Sequence, residues 1–513
     1  MKAHSQTKAR ALLLALACVL AFGGLSAAQD KPKYGGTLNV GLTSDMKTLD
    51  PIFSVQFTER QPLYLIFNTL VKLSPDFSIE PELAQSWDVQ NGGKTLVFHL
   101  REGVRFHDGT VFDASVVKWN LDRRMNKDVR SPQEKGLSSV ITGVEVVNKN
   151  TVTILLSKPF PGLLGMLGQR EGFMVSPAAV EKWGKDFGSH PVGTGAFKFV
   201  EWVRGSHITV ERNPDYWEKG LPYLDKIVFN DIANSVVGVQ RLTTKEVDLV
   251  DTLTPRDVLQ LEKMPNINLY PIKVGRWFSL HWHWNEPPFN NPALREAIAH
   301  AIDRNKIVEI LMNGKGTVSD SPTPPGLWWF NSKVKVPAYD PALAKKKLIE
   351  AGYPSGIDLT LFMPSAVVYE QLCQLVQEQL GAVGIRVKLE PVAEGDFYAR
   401  VFKGLINFVP TRWTQRPDPD GLFYILFHSQ GPANTSKYQS ATADALLDKA
   451  RVTTNRKDRV ALYDQFQELL AKDLPVLPLF FSVEYAGARD VVHGYVWIPD
   501  QIPRYREPWK SAP

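Results

Sequence analysis

The chain has 513 residues, of which 44% are hydrophobic and 22% are charged, and its formal net charge at pH 7 is +5. A chain of this length can bury roughly three quarters of its unfolded surface, which predicts about three domains or one large two-lobed body. The near balance of basic and acidic residues argues against nucleic acid or a membrane surface as the partner.

The first residues have the organisation of a secretory signal peptide. A basic start at residues 1–10 precedes an apolar run at 11–25 and small residues at 26–28 that suit cleavage. The apolar run is shorter than the roughly 20 residues that a membrane-spanning helix requires. We predict that residues 1–28 are removed on export, which takes away three of the 59 basic residues and leaves 56 against 54 acidic ones.

The chain has two cysteines, Cys18 and Cys373. Cys18 suggests a lipid anchor, but Ala15 stands where a lipoprotein signal normally has leucine, so we do not expect one. Removal of the signal peptide leaves Cys373 alone, and no disulfide then forms within the mature chain. Because residues 369–380 follow a helical pattern, we expect Cys373 to be a buried apolar residue rather than a reactive thiol.

Residues 34–274 are rich in strand-like segments. Apolar runs and alternating patterns predict strands at residues 37–42, 96–106, 144–156, 197–203, 208–212 and 227–232. After residue 291 the pattern changes to alternating helices and strands. The change predicts an α/β chain with two differently built parts.

Helix starts in the second part are marked by a capping residue before a proline. Asn291 and Asp340 each precede a proline at the first helical position. We predict one helix from Asn291 to Gly314 and another from Asp340 to Gly352. Further predicted elements are a strand at 385–392 and helices at 441–451 and 457–472.

The most specific stretch is TLVFHLREGVRFHDGTVFDASVVKWN at residues 95–120. Alternation predicts a strand up to Leu100, a glycine turn, a second strand at 104–106 and another turn at 107–109. Asp113 then lies at the N-cap position of a helix. The pattern alone predicts strands, turns and a helix in a globular protein.

The residues of this stretch are more informative than their pattern. The run F-x-L-R-x-G-V-x-F-H-D-G from Phe98, followed by Trp119–Asn120 in a helix, resembles the family 5 extracytoplasmic solute-binding proteins. This group serves dipeptide, oligopeptide, opine and nickel ABC importers. Further matches in the family's order are Pro191–Phe197, Arg212–Trp217, Asn285–Phe289, Arg295, Ala301–Arg304, Glu350–Tyr353, Asn434–Tyr438 and Asp444–Leu447.

The resemblance implies an α/β, two-lobed periplasmic binding protein, type II-like, with an enlarged first lobe and a two-strand hinge. Residues 29–272 and 481–513 would form the large discontinuous lobe of two subdomains, and residues 273–480 the second lobe. The crossings would lie near Ile272 and Phe480. It also implies a periplasmic monomer without a cofactor, which delivers solute to an ABC permease served by separate ATPase subunits.

No catalytic motif is present, so we do not expect an enzyme. The sequence lacks G-x-S-x-G, G-x-x-x-x-G-K-[ST], H-E-x-x-H and G-x-G-x-x-G. His281 and His283 alternate on a predicted strand and would share a face, as two copper or nickel ligands do. Because Glu286 is the nearest further candidate ligand, we expect a structural strand and no metal site.

Residues 411–420, TRWTQRPDPD, carry the best prediction of a ligand-binding segment. Peptide-binding members of the family have a tryptophan here, followed by an aspartate that pairs with the α-ammonium group of the peptide. In this chain Trp413 is present, but Arg416 takes the place of the aspartate. Asp418 matches the Asp-Pro-Asp that closes the segment instead. The resemblance therefore implies that the ammonium partner is lost.

An arginine that faces the cleft would favour a carboxylate, phosphate or sulfonate. Its planar guanidinium makes two parallel charge-assisted hydrogen bonds and stays ionised when desolvated. Alternatively, Arg416 is a solvated loop residue or pairs with Asp418 or Asp420. If the segment is a strand, Arg412 points away from the face of Trp413.

Other candidate ligand-binding residues are Thr414, Thr194, Asn434 and Tyr438. Thr194 lies between two glycines, where backbone N–H groups could hold an anion or where the glycines could simply allow close packing. Trp413 could stack on a ligand or fill the core. The loop at residues 43–56 lies at the lobe interface in the family.

The resemblance implies a binding protein that captures a peptide-like or anionic small organic solute in the cleft between its lobes. Ligand would favour the closed state by its differential affinity, and the hinge would allow closure. The same fold could instead serve a ligand-loaded periplasmic signalling partner or a peptide-holding chaperone.

Overall fold

The computed structural model describes residues 31–43, 46–132, 134–272 and 275–511, apart from the side chain of Lys135. The predicted signal peptide, which includes Cys18, lies outside them. Within these ranges, no helix combines the length and the apolar character needed to cross a membrane.

Strands and helices are mixed along the chain, in agreement with the predicted α/β class. The strands are β1 (Thr37–Leu42), β2 (Val71–Leu73), β3 (Ile79–Pro81), β4 (Ala84–Gln90), β5 (Thr95–Leu100), β6 (Ile141–Asn148), β7 (Thr151–Leu156), β8 (Phe197–Val203), β9 (His207–Arg212), β10 (Lys226–Asp231), β11 (Leu249–Leu253), β12 (Ile267–Ile272), β13 (Trp277–Trp282), β14 (Thr317–Val318), β15 (Ile357–Pro364), β16 (Ile385–Val392), β17 (Phe408–Trp413), β18 (Val476–Phe481), β19 (Glu484–Arg489), β20 (Val492–His493), β21 (Val496–Trp497), β22 (Pro503–Arg504) and β23 (Trp509–Lys510).

The helices are α1 (Phe57–Ile66), α2 (Ala114–Met125), α3 (Glu134–Ser138), α4 (Gly162–Leu167), α5 (Pro177–Trp183), α6 (Ser235–Thr243), α7 (Pro255–Leu261), α8 (Pro292–Ala301), α9 (Arg304–Met312), α10 (Pro341–Glu350), α11 (Val367–Gly381), α12 (Glu394–Phe402), α13 (Asp420–Phe427), α14 (Ala441–Val452) and α15 (Arg456–Asp473). Short 3-10 helices occupy Asn91–Gly93, Lys127–Val129, Arg170–Gly172 and Gly184–Ser189.

A seven-stranded sheet with the order β12-β19-β11-β1-β10-β9-β8 forms the centre of the first lobe. β1 lies in its middle and runs parallel to both β10 and β11. Leu38, Val40 and Leu42 on β1 are fully buried, because alternate residues of a strand share a face. The predicted strand at residues 37–42 is confirmed.

A four-stranded sheet, β4-β5-β7-β6, builds the other part of the first lobe. The apolar face of β5, with Phe98 at its centre, is buried as the alternation predicts. The predicted second strand at residues 104–106 is wrong, because this segment makes a single bridge between Arg105 and Val111. The chain turns at Gly103 and at Gly109, which both have positive φ, so the pairing does not extend beyond this bridge.

Capping side chains begin the helices where the sequence predicts them. Asp113, Asn291 and Asp340 each accept hydrogen bonds from backbone N–H groups of the first turn. The single helix predicted from Asn291 to Gly314 is wrong, since it divides into α8 and α9. The break occurs because Asp303 caps a new helix and starts a second first turn.

The second lobe contains the sheet β14-β18-β13-β17 and the parallel pair β15-β16. β13 lies between β17 and β18, and all its residues are buried. β16, α14 and α15 lie where the sequence predicts them, within one residue. Cys373 is fully buried in the core of this lobe, and burial raises the pKa of its thiol. Its predicted apolar role is confirmed.

The chain passes between the lobes at two neighbouring segments. β12 belongs to the seven-stranded sheet and β13 to the sheet of the second lobe, and β18 and β19 make the reverse change. The N–H of Ser482 donates to the carbonyl of Arg276 at 2.9 Å, and the N–H of Arg276 donates to Ser482 Oγ at 3.0 Å. These paired crossings form the two-strand hinge. Residues 273–274 lie outside the described part of the chain, and the exact domain boundaries stay a prediction.

Candidate ligand-binding site

Trp413 is the last residue of β17 and faces the aromatic core of the second lobe. Its backbone pairs with Trp277 of β13, and its indole N–H donates to Thr411 Oγ1 at 3.2 Å. The ring is half-buried against that core. Arg412 points to the opposite face, where its guanidinium carbon lies 5.7 Å from the centre of the Tyr369 ring. The predicted orientation of Arg412 is confirmed.

The carboxylates that follow Trp413 are paired with arginines from other helices. Asp418 accepts hydrogen bonds from both terminal nitrogens of Arg459, at 2.7 and 2.8 Å. Asp420 lies 3.4 Å from Nε of Arg451, and burial raises the pKa of Asp420 to about 7 against the influence of that arginine. The alternative that Arg416 pairs with one of these carboxylates is therefore wrong.

Arg416 itself is half-buried and makes no hydrogen bond or ion pair with any residue that the structure describes. Its stem packs on Gly421, where an added Cβ would lie 3.0 Å from Arg416 Cβ. Burial, and then the positive charge of Arg170, lower the pKa of Arg416, while Glu171 and Asp500 act in the opposite direction. This guanidinium has no counter-ion within the described ranges of the chain.

Thr414 lies between Trp413 and Arg416 on the same segment and is half-buried. The next residue, Gln415, is buried and donates from Nε2 to the carbonyl of Pro322 at 2.9 Å. Its Oε1 is buried without a hydrogen-bond partner among the described residues. The segment therefore presents two polar groups, from Gln415 and Arg416, whose bonding capacity is not used.

A second arginine, Arg60 on α1, shares this environment and was not predicted from the sequence. Its side chain is 5% exposed, and its guanidinium carbon lies 4.6 Å from the centre of the Phe57 ring. Its Nε is buried and has no hydrogen-bond partner within the described part of the chain. Burial and then Arg170 lower the pKa of Arg60. The only sequence signal is an arginine just ahead of the apolar end of a helix.

Two ion pairs lie beside these arginines. Arg170 Nε is 3.1 Å from a carboxylate oxygen of Glu171, and Arg504 is 2.7 Å from one of Asp500. Both carboxylates act on the pKa of Arg60 and of Arg416. We call this group of side chains the arginine cluster: Arg60, Arg170, Glu171, Arg416, Asp500 and Arg504. Its two carboxylates are matched by Arg170 and Arg504, so two positive charges are left over.

A cavity of about 260 Å³ lies beside the arginine cluster in the first lobe. Tyr64 and Arg504 line it, and the guanidinium carbon of Arg504 lies 3.5 Å from the centre of the Tyr64 ring. Two other lining residues, Glu82 and Arg506, pair with each other at 3.4 Å. This volume is close to the lower limit of roughly 300 Å³ for small-molecule pockets. The cavity offers room for a small group next to the cluster.

The loop at residues 43–56 is held against α1 by Glu59. The carboxylate of Glu59 accepts hydrogen bonds from the hydroxyl of Ser54 at 3.0 Å and from the two N–H groups that follow. The carbonyl of Ser54 accepts a hydrogen bond from Arg170 at 3.3 Å. The loop therefore reaches the arginine cluster, although residues 44–45 lie outside the described ranges.

Thr194 lies in a tightly packed turn. It is fully buried, and its hydroxyl donates to Asn68 Oδ1 at 3.1 Å. A Cβ added to Gly193 or Gly195 would lie 2.0 or 2.1 Å from a carbonyl oxygen of α1, so glycine is needed for this approach. The geometry supports the packing interpretation, and a ligand-binding role of Thr194 stays a prediction.

Asn434 and Tyr438 organise the loop that contains them. The side chain of Asn434 accepts from the N–H of Tyr438 at 3.0 Å and donates to its carbonyl at 2.8 Å. Tyr438 is fully buried, and its hydroxyl donates to Asp473 at 2.6 Å. The polar groups of both side chains are engaged within the protein, so contact with a ligand stays a prediction.

His281 and His283 have separate partners. The ring nitrogens of His281 lie 2.7 Å from Thr435 Oγ1 and 2.9 Å from Ser279 Oγ, and burial lowers the pKa of His281 to about 3. His283 Nδ1 lies 2.6 Å from the carboxylate of Glu286. No group of three or more potential metal ligands occurs among the residues described here.

Comparison with known proteins places this chain in a family. Residues 78–434 match the model of the bacterial extracellular solute-binding proteins, family 5 Middle. The glutathione-binding protein GsiB of Salmonella paratyphi A is 31% identical over 474 residues, which covers 90% of this chain and 92% of GsiB. The chain is therefore similar to this relative over nearly its whole length.

Solved structures show the same architecture. The periplasmic binding protein DppA of Helicobacter pylori, in complex with the peptide STSA, has a TM-score of 0.77 and 31% identity over 93% of this chain and 98% of its own. AgaA of A. tumefaciens R10, in complex with agropinic acid, has a TM-score of 0.73 and 28% identity over 92% and 96%. The chain belongs to the bacterial extracellular solute-binding proteins of family 5, and it is the periplasmic substrate-binding component of an ABC importer.

Proposed function

We propose that the protein captures a small solute that carries a carboxylate, either a peptide-like molecule or an organic acid, and that Arg416 binds this group. The observation that carries the proposal is the missing counter-ion of Arg416 among the described residues. Asp418 and Asp420 are close along the chain, yet each is paired with another arginine. A half-buried arginine without a partner is costly, and a carboxylate matches its donor geometry in two hydrogen bonds.

The relatives support a carboxylate as the shared chemical feature. GsiB is a glutathione-binding protein, and glutathione has two carboxylates. Agropinic acid and the peptide STSA also carry acidic groups. Asp418 is held by Arg459 and so offers little to the ammonium group of a peptide. We therefore rank the carboxylate above the ammonium group as the recognised part of the solute.

Binding would act through closure and not through chemistry, so we propose no catalytic activity. Arg416 belongs to the second lobe, whereas Arg170 and Glu171 belong to the first lobe. A solute that contacts both lobes favours the closed state by its differential affinity. The closed monomer would then deliver the solute to an ABC permease with separate ATPase subunits.

Isothermal titration calorimetry on ligand-free, refolded protein tests this function. The panel is glutathione, short peptides and small organic acids, each beside a form in which the carboxylates are amidated. We expect binding of free acids and at least about 30-fold weaker binding of the amides, because truncating a buried charge pair costs about 2 kcal/mol or more. Saturation at a hundred times Kd adds roughly 2.7 kcal/mol to the free energy of unfolding, which thermal unfolding detects.

Two variants locate the effect on the chain. Arg416→Gln should reduce the affinity for the acid by the same factor. Arg412→Gln is the matched control, because it removes the same charge from the same segment on the opposite face of β17. Equal affinity for acids and amides, or equal losses in both variants, would refute the proposed role of Arg416.

A further inference from the structure

The charges of the arginine cluster do not balance. Four guanidinium groups face two carboxylates, and the two close ion pairs engage Arg170 and Arg504. Arg60 and Arg416 then have no opposite charge within ion-pair distance among the described residues. Both lie on segments that reach Arg170: its guanidinium donates to the carbonyl of Ser54 just ahead of α1, and a Cβ added to Gly165, five residues before Arg170, would lie 3.1 Å from Cβ of Pro417, the neighbour of Arg416. Burial and Arg170 disfavour the charged form of both arginines. An anion bound here would remove this imbalance.

The other arginines that the structure describes as buried, Arg124, Arg295 and Arg459, hydrogen-bond with the protein. Arg295, which is 6% exposed, donates to the carbonyls of Phe289 at 2.7 Å and of Asp473 at 3.2 Å. Arg459, which is 4% exposed, holds Asp418 with two hydrogen bonds. Arg60 is equally buried, but its Nε has no partner in the described structure. Its packing on Phe57 therefore fixes the guanidinium without satisfying it.

We infer that Arg60 is a second anion-binding residue, and that the solute carries two acidic groups, one for Arg60 and one for Arg416. This inference rests on the proposed function, because it extends the same site to the first lobe. Arg60 lies on α1 of the first lobe, and Arg416 follows β17 of the second lobe. A diacid would join the two lobes, whereas a monoacid would neutralise a single arginine.

The arrangement makes closure depend on the charge of the solute. Without an anion, closure leaves two uncompensated arginines near Arg170, and like charges in a desolvated site repel each other. A diacid supplies both counter-ions at once. Because Arg60 and Arg416 are on separate lobes, the open form engages one acidic group, and the interaction of the second group is added only in the closed state.

Calorimetry with diacids and matched monoacids at equal ionic strength tests the inference. The probes are glutathione against its glycine monoethyl ester, and glutarate against butyrate. In the wild-type protein we expect at least tenfold tighter binding of the diacid of at least one pair. Arg60→Gln should bring the affinity for that diacid to the affinity for its monoacid, while the monoacid itself binds as before.

Two further variants keep the test decisive. Arg256→Gln is the control, because Arg256 is exposed on α7 and its removal takes away the same charge. Arg60→Lys retains the charge and should keep part of the preference for diacids, which guards against misfolding of Arg60→Gln. Wild-type protein that binds monoacids as tightly as diacids would overturn the inference.

The outcomes also separate this inference from the proposed function. If Arg416→Gln loses carboxylate binding but Arg60→Gln behaves like Arg256→Gln, the proposed function stands and the role of Arg60 is refuted. If no acid of either pair binds the wild-type protein and the wider panel also fails, both are refuted. A loss of both monoacid and diacid binding in Arg416→Gln, together with a loss confined to diacids in Arg60→Gln, supports both.

Discussion

Breaking the ion pair between Asp418 and Arg459 should strongly destabilise the second lobe. Two hydrogen bonds of 2.7 and 2.8 Å join the groups, whose side chains are 14% and 5% exposed. Removing one partner leaves the other charge buried and unpaired, which costs about 3–5 kcal/mol. We therefore expect Asp418→Asn and Arg459→Gln each to lower the free energy of unfolding by about this amount.

A double-mutant cycle measured by urea unfolding checks this value. The two changes together should cost little more than either alone, which gives a coupling energy of at least about 2 kcal/mol. The pair Asp358–Arg386 is the matched control, since it has the same chemistry at 2.6 Å but its side chains are 79% and 55% exposed. Asp358→Asn should cost less than about 1 kcal/mol. Losses below 1 kcal/mol in the Asp418 cycle, or additive losses, would refute the reasoning.

Two further predictions concern the first lobe and the hinge. Burial raises the pKa of Asp251 to about 6 against its hydrogen bond from Gln61, so its contribution to stability is present below pH 4 and is lost as pH rises through 6. The loss in the free energy of unfolding over this pH range amounts to about 3 kcal/mol. Asp251→Asn should therefore flatten the pH dependence of the urea midpoint between pH 4 and 7, and an unchanged pH dependence in this variant contradicts the prediction. At the hinge, a Cβ on Gly275 would lie 1.4 Å from the carbonyl oxygen of Ser482, so Gly275→Ala should cost about 1–3 kcal/mol in thermal unfolding. Gly381→Ala meets nothing within 4 Å and is the control, and equal stability of the two variants would disprove the close contact.

The hinge and the arginine cluster would both take part in the proposed closure of the two lobes. The crossings at Arg276 and Ser482 are joined by one hydrogen bond between backbone groups and one from the N–H of Arg276 to the hydroxyl of Ser482. Arg276 also pairs with Glu484 at 3.0 Å, where the chain enters the first sheet again. Two adjacent crossings of this kind are the arrangement about which hinged domains close around a ligand.

Much of the fold was predictable because its signals are local. Each of these signals depends only on residues close to it in the sequence, as in the alternation at residues 37–42 and the caps at Asp113, Asn291 and Asp340. The same local logic failed where two signals competed. The helical apolar pattern continues past Asp303, but the side chain of Asp303 accepts a hydrogen bond from the N–H of Lys306 and so starts a new helix, α9. The sequence therefore predicted which helices and strands are present better than it predicted the positions at which they are interrupted.

The family and the candidate segment at residues 411–420 were also readable from the residues themselves. The sequence identified Trp413 and Arg416 as neighbours of two carboxylates, and it left the pairing of Arg416 open. Only the tertiary structure showed that Asp418 belongs to Arg459, which lies 41 residues away. It alone brought Arg60 of α1 into the environment of Arg170. Caps and alternation depend on adjacent residues, whereas burial and ion pairing depend on which distant side chains the fold brings together, and short-range patterns do not encode that choice.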